Sequence, residues 1–101
     1  MKKRRIFISD PAKRDILHIV RYIRLDKPAA AEKFKFHLKQ KMRSLESLSQ
    51  RGRKVPELKG TIFEDYRELI IEPCRILYKV STDEIHILRV LHARREFRLF
   101  E

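Results

Sequence analysis

Apolar residues recur at three- and four-residue steps through the first half of the chain and at alternate positions through much of the second. The first spacing gives a helix one buried face, and the second gives a strand one. From Pro11 to about Leu25, Ala12, Ile16, Ile19, Val20 and Ile23 fall on one stripe, with Lys13, Arg14, Arg21 and Arg24 mostly off it. Ser9-Asp10-Pro11 starts this helix: Ser9 or Asp10 can accept from the free N–H groups of the first turn, and proline is tolerated there. Asp26-Lys27-Pro28 breaks it, because the residue before a proline avoids helical geometry. A second stripe, Ala31, Phe34, Leu38, Met42, Leu45 and Leu48, predicts a helix from about Pro28 to Leu48. Its other face carries Lys33, Lys35, Lys39, Lys41 and Arg43. The short connection makes the pair an antiparallel hairpin whose apolar stripe needs a surface to cover.

Strands supply that surface. Arg4 to Ile8 reads as a first, short strand. Ser49 to Thr61 loses the helical period, holds Gly52, Pro56 and Gly60, and reads as a loop. Three strand segments follow: Tyr66–Ile71, Arg75–Val80 and Ile85–Leu91. In the middle one Ile76, Tyr78 and Val80 alternate with Arg75, Leu77 and Lys79. Glu72-Pro73 turns the chain between the first two, since a central strand rejects proline, and Ser81-Thr82-Asp83-Glu84 turns it between the last two. From Ala93 the tail is mostly charged, with Phe97, Leu99 and Phe100 to pack back. The expected fold is α+β: an N-terminal strand, a two-helix hairpin, then a three-stranded antiparallel meander, giving a sheet of about four strands.

The length, 101 residues, suits one domain spanning 1–101. A hydrophobic content of 43% argues against disorder. The net charge of +11 changes the picture more. A small domain this basic attracts polyanions: nucleic acid, an acidic membrane surface or an acidic protein. The basic N-terminus runs into only Ile6-Phe7-Ile8 before Ser9-Asp10-Pro11, too short for a signal-peptide core or a membrane span. The one cysteine, Cys74, can form neither an internal disulfide nor a cysteine-based zinc site, and it fits a reducing cytoplasm.

Several chemistries are excluded. Two isolated glycines cannot build a phosphate loop. His18, His37, His86 and His92 show no paired ligand spacing with Cys74, so neither metal nor cofactor is expected, and no serine has a nucleophile-elbow context. A basic constellation remains. Arg51, Arg53 and Lys54 crowd the loop, Arg67 and Arg75 begin strands, and Arg89, His92, Arg94 and Arg95 end the last strand and open the tail. In an antiparallel pair the strand ending near His92 lies beside the start of the Arg75 strand, with Arg67 at the far end. Arginine forks bind phosphate bidentately, and a nearby histidine could move a proton during phosphodiester cleavage. The same residues also admit plain roles. Arg75 could pair with Glu72, Glu57 or Glu68, His92 could bond a backbone carbonyl, and the loop cations could be solvated.

An ordered set of segments resembles the RelE/ParE superfamily of type II toxin–antitoxin toxins. Gly52-Arg53-Lys54-Val55-Pro56-Glu57-Leu58 is similar to the loop before the sheet, and Tyr66-Arg67-Glu68-Leu69 to the second strand. Arg75-Ile76-Leu77-Tyr78 is similar to the third strand, and Val90-Leu91-His92-Ala93-Arg94-Arg95-Glu96-Phe97 to the last strand and tail. The helix residues Ala12, Asp15, Ile16, Ile19, Tyr22 and Ile23 fit as well. RelE-like members are ribosome-dependent mRNA endonucleases. In that branch the resemblance implies Arg75, His92 and Glu57 as catalytic, with Arg51, Arg53, Lys54, Arg67, Arg94 and Arg95 holding nucleic acid. Two departures stand against it: Glu57 overlies the family's glutamate only approximately, and Phe97 or Phe100 cannot replace a tail tyrosine. ParE-like members instead poison DNA gyrase and need no nucleolytic residues. A charge of +11 among ribosomal phosphates favours mRNA cleavage; gyrase inhibition is the alternative, and a non-toxic antitoxin-binding relative is the third. The resemblance also implies a cognate acidic antitoxin, with ribosome and mRNA, or gyrase, as target and no membrane.

Overall fold

A computed structural model of the protein describes residues 3–92 and Phe97. The chain runs β1 (Arg5–Ile8), α1 (Asp10–Asp26), α2 (Pro28–Ser44), β2 (Arg53–Lys54), a 3-10 turn (Pro56–Leu58), β3 (Arg67–Ile71), β4 (Cys74–Val80) and β5 (Glu84–His92). Ser9 caps α1 as its sequence suggests: its Oγ accepts from the Ala12 N–H at 3.1 Å and donates to the Leu88 carbonyl at 2.9 Å. That one hydroxyl ties the start of α1 to β5.

The sheet order is β1-β5-β4-β3-β2. β1 lies parallel to β5, and the other pairs are antiparallel. The expected sheet of about four strands therefore gains a fifth. Arg53 and Lys54, placed in a loop by sequence, pair with Glu68 and Arg67. Two residues carry no alternation, so no periodicity could announce them. The second helix also ends earlier than expected, at Ser44 rather than near Leu48. Leu45 is fully buried all the same, because irregular turns after the helix continue its stripe.

The helical hairpin covers one face of the sheet. Ala12, Val20, Ala31, Phe34, Leu38 and Met42 pack on Leu69, Ile71, Cys74, Ile76, Tyr78, Ile85, Ile87 and Val90. Each large side chain so enclosed contributes about 1.5–3 kcal/mol of transfer free energy. Tyr78 is fully buried, and its phenolic oxygen accepts from the Gly52 N–H at 2.8 Å. Gly52 has no room for more: a Cβ there would sit 2.4 Å from the Glu68 carbonyl oxygen.

Part of the opposite face is covered as well. The segment after β2 folds over it, and Val55, Leu58 and Leu77 form a second, smaller core with Phe63, Tyr66, Leu88, Leu91 and Phe97. A register shift at Leu77/Tyr78 sets Arg89 opposite Leu77 and Ile87 opposite Tyr78, so Leu88 is an extra residue in β5. Such a bulge re-aims local side chains. Arg89 reaches Asp15 on α1 through a fork of 2.7 and 2.8 Å, and Asp15 also accepts from the Val90 N–H. Arg89 is thus a buried clamp between helix and sheet.

Candidate functional site

Arg75 stands near the start of β4 on the face away from the helices, opposite Ile70 of β3 and Leu91 of β5. Its guanidinium lies between two carboxylates. Nη1 and Nη2 donate to the Glu57 oxygens at 3.1 and 2.6 Å, and Nη1 also donates to Glu68 Oε1 at 2.9 Å. The second oxygen of Glu68 accepts from Arg53 Nε at 2.7 Å. The Phe97 ring lies against the guanidinium, 4.9 Å from its carbon to the ring centroid, a cation–π contact. The Arg75 side chain is 10% exposed, that of Glu68 0% and that of Glu57 40%. Arg75 Nε is buried without a partner among the described residues.

Two cations and two carboxylates thus balance in one cluster. The Arg75 hydrogen bond holds Glu57 below the ordinary glutamate pKa against the opposing effect of burial. The same bond to Glu57, followed by the bond to Glu68, raises Arg75 further above its ordinary value despite desolvation. A carboxylate held ionised in this way is a poor proton donor, and its lone pairs are directed to arginine.

His92 does not join this cluster. The strand ends do lie side by side, but β5 sets His92 opposite Cys74 and sets Leu91 opposite Arg75. Directly paired residues share a face and neighbours along a strand alternate. Cys74 belongs to the core beneath the helices, so His92 is on the helix side and Arg75 on the other. Burial pushes the Cys74 thiol up to about 11, with Glu72 adding to the shift.

The remaining cations are dispersed. Lys54 pairs with Asp65 at 2.8 Å, and Arg67 donates to the Gly52 carbonyl at 2.8 Å. Arg51 donates to Ser44 Oγ and lines an open cleft of about 510 Å³ with His37, Gln40 and Lys41 of α2 and Ile70 of β3. Arg94 and Arg95 lie outside the described residues. Among the described residues, no three histidine, cysteine, aspartate or glutamate side chains gather as a metal-ligand set.

The family model described as the ParE toxin of the type II toxin–antitoxin system parDE matches residues 6–97. The chain belongs to the ParE toxin family. It is accordingly the toxin component of a type II toxin–antitoxin system, with an antitoxin as its partner, within the RelE/ParE superfamily. The fold of the toxin is also that of two solved relatives. One is from the chromosomal ParDE system of P. aeruginosa, with a TM-score of 0.74 and 20% identity over 93% of this chain and 100% of that one. The other is from the toxin–antitoxin complex RelBE2 of Mycobacterium tuberculosis, with a TM-score of 0.62 and 17% identity over 91% and 93%. Comparison with curated protein sequences found no match. No helix among the toxin's described residues is long and apolar enough to cross a membrane.

Glu68 was the residue the sequence did not single out as a site member. Its signal was present in the alternation Glu68, Leu69, Ile70, Ile71, which puts a carboxylate on the face that Arg75 shares. Phe97 as the cover of Arg75 had no comparable signal, because a contact across 22 positions depends on where the tail returns.

Proposed function

We propose that this toxin arrests growth by binding DNA gyrase rather than by cutting mRNA. One observation carries the reading: Arg75, the residue a RelE-like nuclease would aim at the scissile phosphate, is held by Glu57 and Glu68 and covered by Phe97. To meet a phosphate it would have to leave two carboxylates, one of them fully buried. The face taken by His92 is a second support, since His92 and Arg75 would have to reach one phosphate from opposite sides of the sheet. Membership of the ParE family agrees with this reading, and the sequence-based preference for mRNA cleavage gives way to it. In a gyrase-binding toxin the Arg75 cluster fixes the loop before β3 and seats Phe97.

The antitoxin in this reading is an acidic segment, partly helical, that orders on binding. The helical hairpin suits it. Leu17, Tyr22, Leu25 and Phe36 are exposed there among Arg14, Arg21, Arg24, Lys33 and Lys39. Purified toxin added to gyrase with relaxed plasmid should block supercoiling, and added antitoxin should restore it. The same toxin added to translating ribosomes should leave mRNA intact. Codon-linked cuts with unimpaired gyrase would reverse the assignment. Normal growth on expression without antitoxin would leave only the antitoxin-binding relative.

A further inference from the structure

The sheet face away from the helices has a region, at the β1 edge, that neither core absorbs. Phe7 of β1 and Lys79 of β4 both pair with His86 of β5, so the three side chains share one face across three strands. Ile85 and Ile87, which flank His86, are buried under the helices, and His86 therefore projects outward. The Phe7 and His86 rings are stacked, with centroids 5.5 Å apart and planes 18° from parallel. The Arg5 guanidinium sits over the Phe7 ring at 5.6 Å. Phe7 is 42% exposed, and Arg5 and Lys79 are exposed beside it. One carboxylate adjoins the row: Glu84 meets His86 Nε2 at 2.9 Å and Arg5 at 3.8 Å.

We propose that this row is a stacking platform for single-stranded nucleic acid. Flat rings held upright on an exposed sheet receive unstacked bases, because every base has a π-face. The ring geometry is set before binding: cross-strand pairing holds both backbones, so little ordering remains when a base arrives. Arg5 is tied only loosely, at 3.8 Å from Glu84 and 77% exposed, and it can swing from the Phe7 ring to a phosphate while a base takes its place. Lys79, on the far side of His86, reaches the next phosphate. The chain's +11 charge draws in a polyanion, and the rings then select a single strand over a duplex whose bases are already stacked. The platform does not depend on gyrase being the target, and it lies away from the Arg75 cluster.

The test is fluorescence anisotropy of the purified toxin with labelled oligo-dT, oligo-U and a duplex of equal length, at low and raised salt. The toxin should prefer both single strands. Phe7→Leu should weaken that binding about tenfold, and His86→Thr should do so to a similar degree. Lys13→Gln, which removes one charge from the exposed face of α1, should leave the single-strand preference unchanged. Amide chemical-shift changes on adding oligo-dT should cluster at Phe7, Lys79 and His86, which reports on the site even if a variant is unstable. Unchanged binding by folded Phe7→Leu, or shifts centred on the Arg51 loop, would overturn the proposal. So would a toxin that ignores all three probes while Phe7→Leu alters only its self-association or its antitoxin affinity. Gyrase arrest is read separately, so loss of one reading leaves the other measurable.

Discussion

On the proposed gyrase reading, Arg75 holds the fold together rather than meeting a phosphate. Its charge is balanced locally, and the Glu68 side chain it balances has no contact with water. Removing one partner of a buried pair leaves the other charge uncompensated, which typically costs 3–5 kcal/mol. Arg53 still holds Glu68, so Arg75→Ala should lower unfolding stability by about 3 kcal/mol, measured from denaturant midpoints. Adding Glu68→Gln should recover part of that loss, because the stranded carboxylate is then neutral. Additive losses in the double variant would show that the two residues are uncoupled. Glu57 makes a pH prediction. Its folded pKa is depressed, so its contribution is complete above the unfolded value and fades as pH falls through the folded one. Between about pH 5 and pH 3 the wild type should therefore lose more stability than Glu57→Gln. Parallel acid limbs for the two proteins would remove Glu57 from the account. The possible pairing of Arg75 with Glu57 or Glu68 was legible from residue types alone. Its weight was not, because exposure and register decide whether such a pair is solvated or buried.

The elements were legible where their period was long. α1 and its Ser9 cap follow from a five-residue stripe and a serine ahead of a proline, and the three later strands lie within a residue or so of the expected ends. β2 was missed because its two residues are defined by a partner strand. The small core on the outer face was missed for a related reason. Val55, Leu58, Phe63 and Tyr66 are irregularly spaced, and only the fold brings them over Leu77. Gly52 marks where that segment meets the sheet. A methyl group there would press on the Glu68 carbonyl and on the Tyr78 hydroxyl, 2.7 Å away. Gly52→Ala should destabilise by about 2 kcal/mol, within the range for overpacking. It should also disturb amide shifts of Arg53, Glu68 and Tyr78 more than those of α1. A neutral Gly52→Ala variant would mean that β2 is not held as described.

Across the whole molecule, charge was the least specific clue. The loop and strand cations are largely spent on internal partners: Arg53 on Glu68, Lys54 on Asp65, Arg75 on both glutamates and Arg89 on Asp15. Among the described residues, Arg14, Arg21, Arg24, Lys33 and Lys39 are exposed on the hairpin, where the proposed acidic antitoxin segment would dock. Its affinity should fall with salt as counterion-linked binding does, while the apolar contacts of Tyr22 and Leu25 should be nearly salt-independent. The ordered segments identified the superfamily from sequence, but they did not separate a nuclease from a gyrase poison. The gyrase proposal rests instead on which side chains meet, and the alternation of β5 places His92 and Arg75 on opposite faces. The most direct test induces the toxin in cells without its antitoxin and maps both DNA breaks bound to gyrase and the 5′ ends of mRNA. The account predicts gyrase-linked DNA breaks and no new codon-linked mRNA ends. Abundant mRNA cuts at ribosomal positions, with gyrase-bound breaks at background, would contradict it.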